Sequence, residues 1–164
     1  MSGSLDTAMN ILGYNTWLFQ SAVKDVSEDR FAYRINDRTN AFDRLAGHVT
    51  VCRHAVASML QLEVPELPWG TFGEFGFGMQ FEPQRVCPPL PEVAAMFDAV
   101  TAVLMAELTS VPEDVLAEPS PFEIPGDGQT MRDLLAFMAM HETYHIGQMG
   151  ILKKSMGGPG VMEG

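Results

Sequence analysis

The chain has 164 residues, 46% of them hydrophobic and 19% charged, which allows one domain with a sizeable core and is the composition of a globular rather than a disordered chain. A formal net charge of -11 repels phosphate backbones and anionic bilayers, so neither nucleic acid nor a membrane is an expected partner. The opening residues MSGSLD carry no signal-peptide pattern, and Cys52 and Cys87 form no CxxC pair, so a reducing, cytoplasmic setting is expected.

The first helix is expected from about Asp6 to Lys24, with Ser4 as its N-cap. Leu5, Met9, Leu12, Thr16, Phe19 and Val23 recur along it at helical spacing. The second is expected from about Asn40 to Leu62, capped by Thr39 or Asn40, with Pro65 and Pro68 beyond its end. The segment from Glu63 to Leu90 is rich in Gly, Pro and aromatic residues and has no periodicity. Its Trp69, Phe72, Phe75, Phe77 and Phe81 suit either a patch over one end of the core or a substrate-facing lid. Its glycines are not a phosphate loop, because no strand precedes them and no Lys-Ser/Thr follows.

The third helix starts near Pro91 and ends before Pro112, with Val93, Phe97, Val100, Leu104 and Leu108 as its buried stripe. A short helical turn is expected at Pro112 to Leu116. The last long helix runs from Met131 to about Ser155. Thr130 and Asp133 form its capping box, and Gly157 and Gly158 stop it. The most apolar stretches are too short to cross a bilayer, or carry Asp98 and Glu107. The expectation is an all-α four-helix bundle over residues 1–156, with a long aromatic and Gly-rich loop between its second and third helices. A Gly-rich tail, 157–164, follows.

His141 and His145 lie one turn apart on a face shared with Leu134, Met138, Gln148 and Leu152, so both point inward. His48 shares a face with Ala41, Cys52, Ala55 and Met59 and also points inward. His54 is about 120° away, toward solvent or a helix seam. A lone inward histidine is usually a core residue with satisfied nitrogens. Three of only four, two of them paired, suit one divalent ion better. His141-Glu142-Thr143-Tyr144-His145 also spells H-E-x-x-H, the zinc-protease motif in which the Glu activates water. The extended form of that motif needs Gly at 148 and His at 151, where this chain has Gln148 and Ile151. Only Glu163 remains downstream, and no strands are expected to align a peptide, so a protease is disfavoured.

Three stretches resemble the DinB-like (DinB/YfiT) superfamily in order and spacing. They are Tyr14-Asn15-Thr16-Trp17, Leu45-Ala46-Gly47-His48, and His141-Glu142-Thr143-Tyr144-His145-Ile146-Gly147-Gln148. The resemblance covers nearly the whole chain. It implies a four-helix bundle holding one metal through His48, His141 and His145. Characterised members of that family include metal-dependent thiol S-transferases and a thiol-dependent isomerase, so the resemblance also implies an activity of this kind, with a low-molecular-weight thiol as cosubstrate. Glu142 and Cys52 stand outside the family pattern.

Three neutral imidazoles leave a divalent ion its full charge and an open position; imidazole sets suit zinc, nickel, copper or iron, and zinc or nickel is the expected ion. Such an ion lowers the pKa of bound water or of a thiol. Gln148 and Glu142 are the candidate catalytic residues, able to orient a ligand or take a proton; the plainer alternative for both is a solvated or helix-capping role. Cys52 is a candidate fourth ligand or simply a small buried residue. Tyr14, Asn15 and Trp17 could line the pocket, although core packing is the ordinary role of a tryptophan. The reading is a metal-dependent thiol S-transferase acting on a small electrophile, in a chain that could form a homodimer. The alternatives are a metal-binding bundle without turnover and a metal-dependent hydrolase.

Overall fold

A computed structural model describes residues 2–69 and 87–163. Helix α1 spans Ser2–Val23, α2 Phe42–Met59, α3 Leu90–Glu107, α4 Glu113–Ala117 and α5 Met131–Ser155. Short 3-10 turns lie at Glu28–Arg30 and Leu108–Ser110. There is no strand among the described residues, only an isolated bridge between Pro119 and Thr130.

Four of the five helices make the bundle, in which α1 packs on α5 and α3, and α2 packs on α3 and α5. One core cluster joins Ala8 and Leu12 to Val56, Leu60, Leu104 and Leu134. The other joins Phe19 to Phe42, Leu45, Phe97, Ile146 and Leu152. The first cluster takes the beginnings of α1 and α5 and the ends of α2 and α3, and the second takes the opposite ends. Helices α1 and α5 therefore run one way, and α2 and α3 the other. Because α2 and α3 are parallel, the chain between Met59 and Leu90 has to return the length of an 18-residue helix, ~27 Å. This accounts for the length of that connection. Its phenylalanines and glycines from residue 70 to 86 lie outside the described residues, while Trp69 packs against the second core cluster.

The expected stripe of α3 is the observed one: Val93, Phe97, Val100, Leu104 and Leu108 are all buried. By length and mean hydropathy (1.5), Leu90–Ser110 is apolar enough to cross a bilayer, contrary to the expectation that no stretch qualifies; here its buried face packs in the bundle. The capping box of α5 is present in full. The Thr130 hydroxyl accepts from the Asp133 N–H, and the Asp133 carboxylate accepts from the Thr130 N–H at 3.0 Å. Gly157, at φ 85°, ends α5 in a Schellman motif, with its N–H on the Lys154 carbonyl and that of Gly158 on the Lys153 carbonyl.

Other boundaries differ from expectation. Helix α1 begins at Ser2, since no proline interrupts the chain there, and Ser4 is inside it rather than capping it. Helix α2 begins at Phe42, not Asn40, and has no side-chain cap. The Thr39 hydroxyl is used locally on the Asn36 carbonyl, and the first N–H groups of α2 are taken by the loop: Phe42 N–H by Tyr33 and Asp43 N–H by Phe31. At its other end α2 stops at Met59, because Gln61 turns left-handed (φ 62°) and the Leu62 N–H bonds back to the Ala57 carbonyl. That is a Schellman stop without a glycine, so no glycine marks it in the sequence.

Residues 157–163 fold back along the bundle. Val161 packs against Gly150, where an added Cβ would stand 3.3 Å from its Cγ2, and its carbonyl accepts from Ser21 Oγ. Lys153, itself buried, donates through Nζ to the Ser21 and Lys24 carbonyls, a cation on the C-terminal end of α1.

Candidate metal centre

The two apolar clusters leave a polar layer at mid-height. Asn15 and Thr16 of α1, His48 and Arg53 of α2, Thr101 of α3, and His141, Glu142 and His145 of α5 contribute to it. The three expected histidines meet here. His141 Nε2 lies 3.4 Å from His48 Nε2 and 3.0 Å from His145 Nε2. Two nitrogens bound tetrahedrally to one ion at ~2.05 Å stand about 3.3 Å apart, so these separations suit a shared ion. Cys52, one turn after His48, brings Sγ to 3.7 Å from His48 Nε2. The donor atoms of His48, Cys52 and His141 all lie within 4.8 Å of one another.

Gln148 fixes the third imidazole. His145 Nδ1–H donates to Gln148 Oε1 at 2.8 Å, the tautomer that leaves Nε2 its lone pair. The Tyr144 ring meets His145 edge-on, with centroids 5.0 Å apart. Burial, reinforced by the imidazoles of His145 and His48, pushes His141 down to about 3. Burial also lowers His145, against the opposing effect of its bond to Gln148. Both rings are therefore neutral at pH 7, the form a metal requires. Burial, together with the nearby Glu142 charge, pushes the Cys52 thiol well up, so in the metal-free site it carries its proton.

One prediction arises from these shifts. Unfolding of the metal-free protein returns His141 and His145 to ordinary imidazoles near 6.5. Between pH 6.5 and about 3 the unfolded chain therefore binds more protons than the folded one. The stability this contributes is whole above pH 6.5 and is lost progressively as the pH falls toward 3. The urea midpoint of stripped protein should drop between pH 7.5 and 5, and drop less in His141→Ala. An equal drop in both would assign the effect elsewhere.

Glu142 is neither solvated nor at a helix cap, contrary to the plainer expectation. It is buried in an ion pair with Arg53, with 0% and 2% of the Arg53 and Glu142 side chains exposed. Arg53 Nε donates to Oε1 at 2.9 Å and Nη2 to Oε2 at 2.7 Å. Asn15 Nδ2 adds a third donor to Oε2 at 3.3 Å. The remaining Arg53 hydrogens go to Thr16 Oγ1, Thr101 Oγ1 and the Leu12 carbonyl, and its guanidinium lies 4.1 Å over the Phe97 ring. One side chain of α2 thus holds α1, α3 and α5 at the level of the histidines. The sequence reading missed Arg53. The only signal for it was a lone cation inside the apolar run Val49-Thr50-Val51-Cys52-Arg53-His54-Ala55-Val56. Glu142 is committed to Arg53 and Asn15, unlike the water-activating Glu of a zinc protease. Both oxygens of Glu163 are likewise engaged, by Lys154 Nζ and the Gly160 N–H.

His54 stands off the site, with Nε2 2.8 Å from the Pro65 carbonyl oxygen and Nδ1 near Ser58. Trp17 is not core, being 49% exposed on the side of α1 away from the bundle axis. Tyr14 and Asn15 border an apolar hollow on the outer face of α1 and α5, with Met140 and Tyr144.

The family model of the DinB superfamily matches residues 16–149. The crystal structure of a DinB-like protein from Bacillus cereus ATCC 10987 superposes with a TM-score of 0.65 at 17% identity, covering 96% of this chain and 93% of that one. Comparison with curated proteins yields no match.

Proposed function

The chain belongs to the DinB superfamily, and from that premise we propose that it is a metal-dependent thiol S-transferase using His48, His141 and His145 as ligands. The observation that carries this reading is the convergence of three imidazole Nε2 atoms from two helices, at 3.4 and 3.0 Å. When bound, a divalent zinc or nickel ion supplies Lewis acidity that favours the ionised form of a small thiol or of water beside it. Gln148 keeps the His145 ring in its ligating tautomer. Burial keeps His141 neutral. The Arg53–Glu142 pair sets the rotation of α5, and so the direction in which His141 and His145 face. In this reading Gln148 and Glu142 are positioning residues, and the cosubstrate is a low-molecular-weight thiol attacking a small electrophile.

Four thiols (glutathione, cysteine, bacillithiol and mycothiol) are to be tested against a chromogenic electrophile, with metal-loaded, stripped and His145→Ala protein. A thiol of pKa 8.5 is about 3% ionised at pH 7, so full ionisation offers up to roughly 30-fold in rate. We expect one thiol to show a metal-dependent acceleration of that order, absent from His145→Ala. No acceleration with any of the four would end the transferase reading.

A second reading is favoured by Cys52. With its Sγ 3.7 Å from His48 Nε2, it offers a fourth donor, and four protein ligands make a closed, non-catalytic site. A cobalt-substituted protein showing a thiolate charge-transfer band that Cys52→Ser removes would favour this reading.

A further inference from the structure

Gln148 has a second neighbour besides His145. It forms one wall of a cleft of about 340 Å³ between the loop around residues 35–40 and the far half of α5. That volume suits a small molecule. The floor is apolar, made by Leu45 and Leu152, both buried. Leu45 lies one turn before His48 on α2, and Leu152 one turn after Gln148 on α5, so the floor continues the helix faces that carry the metal ligands. Ile35 and Ile151 extend it outward, 49% and 59% exposed.

The polar side of the cleft is Arg38, Thr39 and Asn40, and Arg38 is the one charged residue among those that line it. Arg34, four residues earlier in the same loop, is paired with Asp37 at 3.0 Å. The Arg38 guanidinium has no ion pair or side-chain hydrogen bond among the described residues. In a chain of net charge -11, an uncommitted guanidinium beside an apolar cleft is the feature that draws an anion.

We propose that this cleft is the substrate subsite of the metal centre and selects small molecules with an apolar body and a carboxylate or phosphate head, the head held by Arg38. The apolar body lies on Leu45 and Leu152, and its inner end meets Gln148, one side chain from His145. The Asn40 amide offers the head a further donor. This deepens the metal-centre reading and rests on it for the word substrate, but the cleft's selectivity is independent of the ion.

The test uses 4-phenylbutyrate, its neutral amide and phenyl phosphate as probes, with binding followed by calorimetry and by 1H–15N NMR on chelator-stripped full-length protein. We expect an anionic probe to bind about tenfold more tightly than the amide, with a shift of the Gln148 side-chain amide resonance. Arg38→Gln should bring acid and amide to within about twofold, whereas Arg34→Gln should leave the preference intact. The relative strength of 4-phenylbutyrate and phenyl phosphate identifies the head. Equal binding of acid and amide, a preference that survives Arg38→Gln, or an unmoved Gln148 resonance would overturn the proposal. So would a preference seen only in metal-loaded protein, since the anion would then sit on the ion. If stripped protein shows the preference while the wild type retains no metal, the cleft stands and the metal reading falls.

Discussion

In His141→Ala, metal retention should fall from an expected one divalent ion per chain to background. His141 Nε2 lies 3.4 Å from His48 Nε2 and 3.0 Å from His145 Nε2, so its removal takes away the nitrogen that neighbours both of the others and leaves only two imidazole ligands. His145→Ala should behave alike, and His48→Ala should weaken binding. Gln148→Ala removes only the acceptor of the His145 Nδ1 proton. Losses of such supporting groups cost roughly 10- to 100-fold in affinity, so it should fall between wild type and the ligand variants. His54→Ala is the internal control, because its ring is engaged with Pro65 and Ser58, and its metal content should match wild type. The measurement is elemental analysis after zinc or nickel loading and desalting, with circular dichroism to confirm that each variant folds. Wild type that retains neither metal would remove the basis of the site.

Arg53→Met should be the most destabilising single change in the polar layer. Breaking a fully buried ion pair by removing one partner leaves the other charge without water or counter-ion, at a cost of about 3–5 kcal/mol. For a chain of this size that corresponds to a melting temperature lower by on the order of 10 °C. Glu142→Gln should fall in the same range, since Arg53 then loses the carboxylate that takes its Nε and Nη2 hydrogens. The double variant Arg53→Met/Glu142→Gln, with no buried charge left, should lose much less than the two single losses added together. Chemical denaturation of the four proteins completes the cycle. A loss below about 1 kcal/mol in Arg53→Met would show that the pair is solvated in solution.

These variants also separate two roles for Glu142. The literal H-E-x-x-H string would make it a base acting on metal-bound water. The hydrogen bonds make it the partner of Arg53 and Asn15 instead. Glu142→Gln is therefore expected to show itself first in stability. Wild type should not hydrolyse an unstructured protein substrate, and metal-dependent cleavage of one would return the protease reading to the front.

Local rules were enough to read much of this protein from its sequence. The α3 stripe, the Thr130–Asp133 box, the glycine stop after Met156 and the inward face of His141 and His145 depend on spacing of three or four residues along one helix. Helical geometry sets these relations whatever the partner. The family, the all-helical fold and the meeting of His48 with His141 followed from such spacing together with the resemblance carried by three short stretches. What needed the tertiary structure is whatever depends on contact between distant segments. The cap of α2 comes from Tyr33 and Phe31 carbonyls rather than from Thr39, and the stop at Gln61 needs no glycine. Arg53 is buried because Thr16, Thr101, Leu12 and Glu142, each on another helix, supply acceptors for every one of its hydrogens. Periodicity along α2 places a side chain on a face. Whether that face is dry, and whether a charge there finds its partner, is decided by the residues that α1, α3 and α5 bring to the same level.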